Sequence, residues 1–337
     1  MRRIVTISYT GLNAGGGVPK FNRDLHSAFS DRECIHFCFD DFFKGSSIAQ
    51  DSPNAEWERA KILNAWLINR KFISKDDVII ADGFWADGLQ HLPYAISHSH
   101  GIWGHITFAD VLAGKQPENT LLHAAQINFR RRWTQLKKPL TAVSEFIAYE
   151  MMQQWGFESH VINNGVDTEV WKPGTIYVGS DNRIIVHGVN DRGNVNKGFD
   201  HISKLMTLDV SVLSLDDFSS MCSCSKQDAM AGATIIVHPS GFEGNSMFVA
   251  EALASGTPII GYNVGFLWSV KQEYSYPVSS LDNRSPENTV KAVKNLLNNE
   301  SEIVRLGKLG REIAVEKLSI DRFNKEWRSY VEAIENG

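Results

Sequence analysis

Glu243 and Glu251 stand eight residues apart in the stretch His238-Pro239-Ser240-Gly241-Phe242-Glu243-Gly244-Asn245-Ser246-Met247-Phe248-Val249-Ala250-Glu251. Two carboxylates so placed are candidates for an acid/base pair or for holders of a polar ligand's hydroxyls. Apolar β-branched runs at 234–237 and 258–261 flank them, so the segment reads as a buried strand, a polar turn, a helix and a second strand. The helix start then falls at Asn245, Ser246 and Met247. Its unpaired N–H groups and the positive end of its dipole form a site for an anion such as a phosphate. Upstream, Arg192 and Lys197 lie five residues apart in the loop after the strand expected at 183–189. Two cations at the mouth of a parallel sheet suit a diphosphate, because each neutralises oxygens that backbone N–H groups leave partly uncompensated. Near the start of the chain, the turn Gly15-Gly16-Gly17 lets backbone approach a ligand closely, although it lacks the full G-x-G-x-x-G pattern. Three imidazoles, His98, His100 and His105, fall within eight residues. A metal site would want a supporting acidic ligand, which the spacing does not provide. His98 and His105 read as satisfied, partly buried side chains, leaving His100 as the functional candidate.

These residues need a scaffold that brings loops together, and the pattern supplies one. Strands at 4–9, 35–39, 77–81, 141–144 and 160–162 alternate with helices at 20–29, 56–71, 124–138 and 145–155. The second half continues with strands at 183–189 and 210–215 and helices at 199–206 and 226–231, and its final third is helical. That alternation predicts an α/β protein of parallel sheets covered on both faces, with ligands at the carboxyl ends of the strands.

The 337 residues are 43% hydrophobic and 22% charged, ordinary globular usage and enough chain for two domains. No apolar run reaches the roughly 18 residues of a membrane span, and the basic start leads straight into an alternating strand, so a cytoplasmic protein is expected. A formal charge of -5 offers no global attraction to nucleic acid or anionic lipid. The cysteines pair by proximity as Cys34 with Cys38 and Cys222 with Cys224, at neither zinc nor C-x-x-C spacing, and read as incidental thiols.

Taken together, Pro239-Ser240, Glu243-Gly244 and Glu251-Ala252-Leu253-Ala254-Ser255-Gly256-Thr257-Pro258 resemble the E-x7-E signature of the retaining GT-B glycosyltransferases of family 4. The likeness extends to Arg192 with Lys197-Gly198, to Asn164-Gly165-Val166-Asp167, to Val143-Ser144 and to Gly16-Gly17. Six motifs in order span nearly the whole chain. The resemblance implies a GT-B fold: two Rossmann-like domains with parallel sheets facing across a cleft. The expected boundaries are 1–172 for an acceptor-side domain, 173–318 for a nucleotide-sugar domain and 319–337 for a helix crossing back to the first. It implies a donor that is a nucleotide-diphosphate sugar, UDP-sugar foremost, and transfer to a hydroxyl with retention and without a metal or other cofactor. Glu251 would accept from the ribose hydroxyls, and Glu243 would hold hydroxyls of the transferred sugar. Arg192 and Lys197 would stabilise the leaving diphosphate with the N–H groups of Asn245, Ser246 and Met247. Gly16 and Gly17 would lie against the phosphates, and His100 would reach the sugar or the acceptor side.

The family's usual acceptors make a surface glycan or glycolipid precursor the expected partner. Phe129-Arg130-Arg131-Arg132-Trp133 offers an alternative. Such a charge run is usually a solvated helix face, but Arg130, Arg131 and Arg132 among aromatics could contact a polyanion, which would make the enzyme a DNA glycosyltransferase acting on a hydroxymethylated base. A sugar-nucleotide epimerase or a non-catalytic binder on the same fold is a third reading.

Overall fold

The computed structural model describes residues 1–44, 55–101, 120–174, 183–189 and 195–337. The described residues up to 164, together with 323–337, form one compact unit, and those of 165–322 form the other.

In the first unit the strands are β1 (Ile4–Ile7), β2 (Cys34–Phe37), β3 (Val78–Asp82), β4 (Ala95–Ser99), β5 (Leu140–Ala142) and β6 (His160–Val161). They form a parallel sheet in the order β2-β1-β3-β4-β5-β6, with Ile4 paired to Cys34 on one side and Val78 on the other. Central β1 and β3 are apolar and buried on both faces, as strands sandwiched between helices must be. The helices are α1 (Gly17–Ala28), α2 (Asp40–Phe43), α3 (Ala55–Asn69), α4 (Thr120–Gln135) and α5 (Glu145–Trp155). Helix α1 begins three residues earlier than the pattern predicts, since Pro19 is tolerated in a first turn whose N–H groups have no intrahelical partner. Helix α5 is capped by Ser144, whose side chain accepts from the Ile147 N–H, and is closed by left-handed Gly156.

The second unit carries β7 (Ile184–His187), β8 (Ser211–Ser214), β9 (Ile235–His238) and β10 (Ile259–Gly261) in the parallel order β10-β9-β7-β8. Its helices are α6 (Phe199–Leu205), α7 (Leu215–Cys222), α8 (Lys226–Gly232), α9 (Met247–Ala254), α10 (Phe266–Tyr274), α11 (Pro286–Leu297) and α12 (Glu300–Lys317). Ser214, Ser225, Ser285 and Asn299 each accept a backbone N–H at the start of α7, α8, α11 and α12. Helices α9 and α12 pack closely where Gly307 meets the Gly256 carbonyl, an approach that any Cβ at residue 307 would block.

The last helix, Ile320–Asn336, presents Phe323, Trp327 and Val331 as a fully buried stripe at four-residue spacing. Phe323 and Trp327 set their ring edges against Phe21 of α1 at 5.8 and 5.7 Å. A bidentate pair, Arg32 to Glu335 at 2.8 and 3.0 Å, closes the far end of the helix.

The cysteine expectation needs correction in one half. Cys34 and Cys38 are free thiols, but Cys222 and Cys224 are joined by a disulfide. Ser223 between them adopts the left-handed conformation that ends α7 and turns the chain back, bringing the two Cα atoms to 5.2 Å.

Candidate active site

Strand order decides where a ligand belongs. In the second unit the chain leaves β7 toward β8 on one side and returns across the sheet to β9 on the other, so the loops leaving β7 and β9 diverge at adjacent carboxyl ends. That switch point is where doubly wound sheets bind ligands. The β7 loop delivers Lys197, in the short 3-10 turn Val195–Lys197, and the β9 loop delivers Glu243.

Lys197 Nζ and Glu243 Oε1 meet at 2.6 Å. His238, the last residue of β9, places Nε2 3.5 Å from the same oxygen, so the carboxylate stands between two groups that are or can be cationic. Burial by itself would raise the Glu243 carboxyl, but His238 and Lys197 outweigh it and hold it at about 2. Glu243 is therefore an anion at any working pH. It is suited to accept hydrogen bonds, and its low value disfavours Glu243 as the acid of an acid/base pair.

Asn245, Ser246 and Met247 form the approach to α9. Ser246 occupies the N-cap position, yet its side chain makes no capping bond, unlike the serine caps of α7, α8 and α11. The Ser246 side chain thus claims none of the backbone donors of the first turn. Glu251 lies on the second turn, half-buried between the buried residues Ala250 and Ala252. Two glycines shape the surroundings. A Cβ on Gly188 would stand 3.0 Å from the Phe248 ring, and one on Gly265, whose φ is +55°, would stand 3.0 Å from the Gly244 carbonyl. Arg192 lies outside the described residues.

In the first unit, β1 runs into the glycine turn and β4 into His100. Gly16 has φ +108°, which requires glycine. Gly17 is under no such constraint, and neither position has a neighbour that a Cβ would touch, so the start of α1 is open to solvent. His100 is half-buried, with its ring edge-on to Phe21 at 4.5 Å and to His98 at 4.6 Å. Burial pushes it down to about 3, so it is a neutral imidazole. His98 is a satisfied core residue at Nδ1, which pairs with Thr141 Oγ1 at 2.8 Å, and it stacks flat on Phe21. His105 lies outside the described residues.

The three arginines of α4 do not form one surface. The helical period turns Arg130 inward, where it is 3% exposed and burial lowers it to about 10 against the opposing charge of Asp82. Arg131 and Arg132 stay exposed, and Asp87 accepts from Arg132 at 3.3 Å. Arg132 also lines a surface groove of about 630 Å³ with Lys61, Ile68 and Leu136. A patch for the DNA backbone would need several free cations on one face, and this arrangement does not favour it.

Two contributors escape a reading by motif. His238 sits in a strand buried on both faces, where alternation does not show which side chain faces the site. Arg284 lies 41 residues beyond Glu243 with no motif around it, and only its contacts reveal it.

Residues 223–313 match the sequence family described as "Glycosyl transferases group 1". No curated protein matches the chain in sequence. Among solved structures the chain is similar to sucrose-phosphate synthase from Thermosynechococcus elongatus, at TM-score 0.76 and 14% identity over 100% of both chains. It is similar to Anabaena HepE in complex with UDP, at TM-score 0.71 and 14% identity over 99% of this chain and 100% of the other. It is also similar to WaaG, a glycosyltransferase involved in lipopolysaccharide biosynthesis, at TM-score 0.63 and 12% identity over 99% and 100%. The fold is that of the GT-B glycosyltransferases. The matched segment 223–313 holds the Glu243–Glu251 stretch, one of the six motifs.

Proposed function

We propose that the protein is a retaining, family 4-like glycosyltransferase that moves a sugar from a nucleotide-diphosphate sugar, UDP-sugar foremost, to a hydroxyl of a surface glycan or its precursor, working in the cytoplasm. The observation that carries this reading is the Lys197–Glu243 pair at the switch point of β7 and β9, with Glu243 four residues ahead of the start of α9. Solved structures of HepE with UDP and with UDP-glucose support the choice of donor. Among the described residues no helix is long and apolar enough to cross a membrane.

When a nucleotide sugar reacts, charge develops on the departing diphosphate and on the anomeric carbon. Lys197 and the N–H groups at the start of α9 offset the first, which is electrostatic stabilisation and requires no proton transfer. Arg192 is assigned the same task from its place in the sequence. Glu243, permanently ionised, accepts hydrogen bonds from hydroxyls of the transferred sugar, and Glu251 accepts from the ribose. In this reading no side chain is assigned as base, and the acceptor's proton passes to the leaving phosphate on the same face, the route that retains configuration. The reading assigns no role to a metal ion. Gly16 and Gly17 are assigned to the phosphates, and His100 to the sugar or acceptor, from their places in the sequence alone.

A thermal-shift screen of UDP, GDP and ADP tests the donor site. The matching nucleotide at a hundredfold excess over its Kd adds about 2.7 kcal/mol of stability. If none of the three raises the melting temperature, the reading fails.

A further inference from the structure

Arg284 follows the 3-10 turn Leu281–Asn283 and precedes Ser285, the N-cap of α11. Its Nε donates to the Pro239 carbonyl at 3.0 Å and its Nη2 to the Asn196 carbonyl at 3.4 Å. Those carbonyls belong to the two loops that carry Lys197 and Glu243. The same Asn196 oxygen accepts from the Gly241 N–H at 2.8 Å, and Asn196 Nδ2 donates to the Phe242 carbonyl at 3.1 Å. One side chain from a third element thus ties together a seam between the loops.

The backbone is cut to fit it. Gly198 has φ +73°, and a Cβ there would stand 2.8 Å from the Pro239 oxygen and 3.0 Å from Arg284 Nη2. A Cβ on Gly241 would stand 3.1 Å from Asn196 Oδ1 and 3.4 Å from Arg284 Nε. Behind the guanidinium, a buried chain fixes the turn it grows from. Tyr262 Oη accepts from the Ser285 N–H at 3.3 Å and pairs with Thr289 Oγ1 at 2.8 Å, and Thr289 pairs with His201 Nδ1 at 2.8 Å. A planar fork can span two carbonyls in fixed directions, whereas an ammonium group has no such geometry.

We propose that Arg284 is a positioning residue of the donor site, holding the Lys197 loop and the Glu243 loop in the register that brings Nζ and Oε1 together. Its consequence for turnover rests on the function proposed above, and its consequence for loop order does not.

Arg284→Met keeps the length and removes the donors, while Arg284→Lys restores one charged group. Two readouts separate the claims. Hydrogen exchange of ligand-free protein, followed by mass spectrometry over 195–198 and 239–244, should quicken in Arg284→Met by about tenfold, which is roughly 1.4 kcal/mol of local stability, while peptides from β7 and β9 stay protected. Hydrolysis of the UDP-sugar that the wild type turns over should lose about a hundredfold in kcat with little change in KM, because a small misplacement of a charge that acts in the transition state is costly there. Arg284→Lys should fall between. Combining Arg284→Met with Lys197→Met should cost less than the sum of the two single changes, since both act in part through one cation. Unchanged exchange in the two loops overturns the inference whatever the activity. Faster exchange with unchanged kcat overturns the positioning role. A wild type that consumes no nucleotide sugar sinks the proposed function instead, and loop exchange alone then decides whether Arg284 holds the seam. Should Arg284→Met fail to fold, the same two readouts on Arg284→Lys decide.

Discussion

Lys197 Nζ lies 2.6 Å from Glu243 Oε1, although the two residues are 46 positions apart and leave different strands of the second sheet. His238 and this pair hold the carboxyl down to about 2 in a nearly buried place, its side chain 14% exposed, four residues ahead of the start of α9. On the proposed reading a diphosphate would meet this cation already in position, which is the preorganisation that electrostatic catalysis requires.

Lys197→Met removes that cation without shortening the side chain much. Turnover of the donor should fall by about 10² to 10³, the usual cost of losing one preorganised charge or donor at a leaving group. The Glu243 carboxyl should at the same time titrate above its present value of about 2, since one of the two groups lowering it is gone. Steady-state kinetics and carbon NMR of labelled glutamate check the two halves separately.

On the proposed reading Glu251 acts on binding more than on chemistry. Glu251→Gln keeps the shape and loses the charge, and a hydrogen bond to a charged group contributes about 1.5 to 3 kcal/mol. Calorimetry should show the nucleotide bound at least tenfold more weakly, with kcat less affected than Kd. An unchanged Kd would move the ribose contact elsewhere.

A histidine pair in the first unit sets an acid limit on stability. Thr6 Oγ1 pairs with His26 Nε2 and with His36 Nδ1, each at 2.9 Å, and His36 Nε2 donates to the Thr10 carbonyl. Burial, aided by the charge of His36, lowers His26 from 6.5 to about 4, and burial lowers His36 as well. Above 6.5 both are neutral in the folded state. Above 6.5 neither state takes the proton and stability is unaffected. As pH falls from 6.5 toward 4 the unfolded chain takes protons that the folded chain refuses, so stability declines; below 4 His26 protonates in both states and its share of the loss is complete. Urea melts between pH 7 and 4 should show this decline, and His26→Gln should flatten it.

Much of this was legible in the sequence because buried parallel strands announce themselves. Ile235–His238 and Ile259–Gly261 are short apolar runs bounded by turns, and the residues after them had to lie at the carboxyl ends of a sheet. Lys197 and Glu243 follow from that reasoning. His238 does not, because a strand covered on both faces carries no alternation to tell which side chain points where. Arg284 acts through backbone carbonyls, and a carbonyl partner leaves no trace in sequence. The α4 arginines misled for the opposite reason: a charge run looks solvated, while the helical period buries Arg130 beside Asp82. The Cys222–Cys224 bond depends on one left-handed serine that no pattern foretold.

The C-terminal helix depends on its last ion pair. Arg32 and Glu335 side chains are 5% and 12% exposed, so removing one partner strands a charge away from water. Glu335→Ala should destabilise the protein by about 3 kcal/mol. Arg32→Met together with Glu335→Met should cost less than the single change, and denaturant melts of the three proteins check it.

The central claim is that this site transfers a sugar from a nucleotide sugar with retention, and proton NMR of the first product formed tests it most directly. Incubated with an α-linked UDP-sugar, the wild type should release free sugar that appears first as the α anomer, and the Lys197→Met protein should release at least a hundredfold less in the same time. Release first as the β anomer, or conversion of the intact donor to its epimer, would contradict the account.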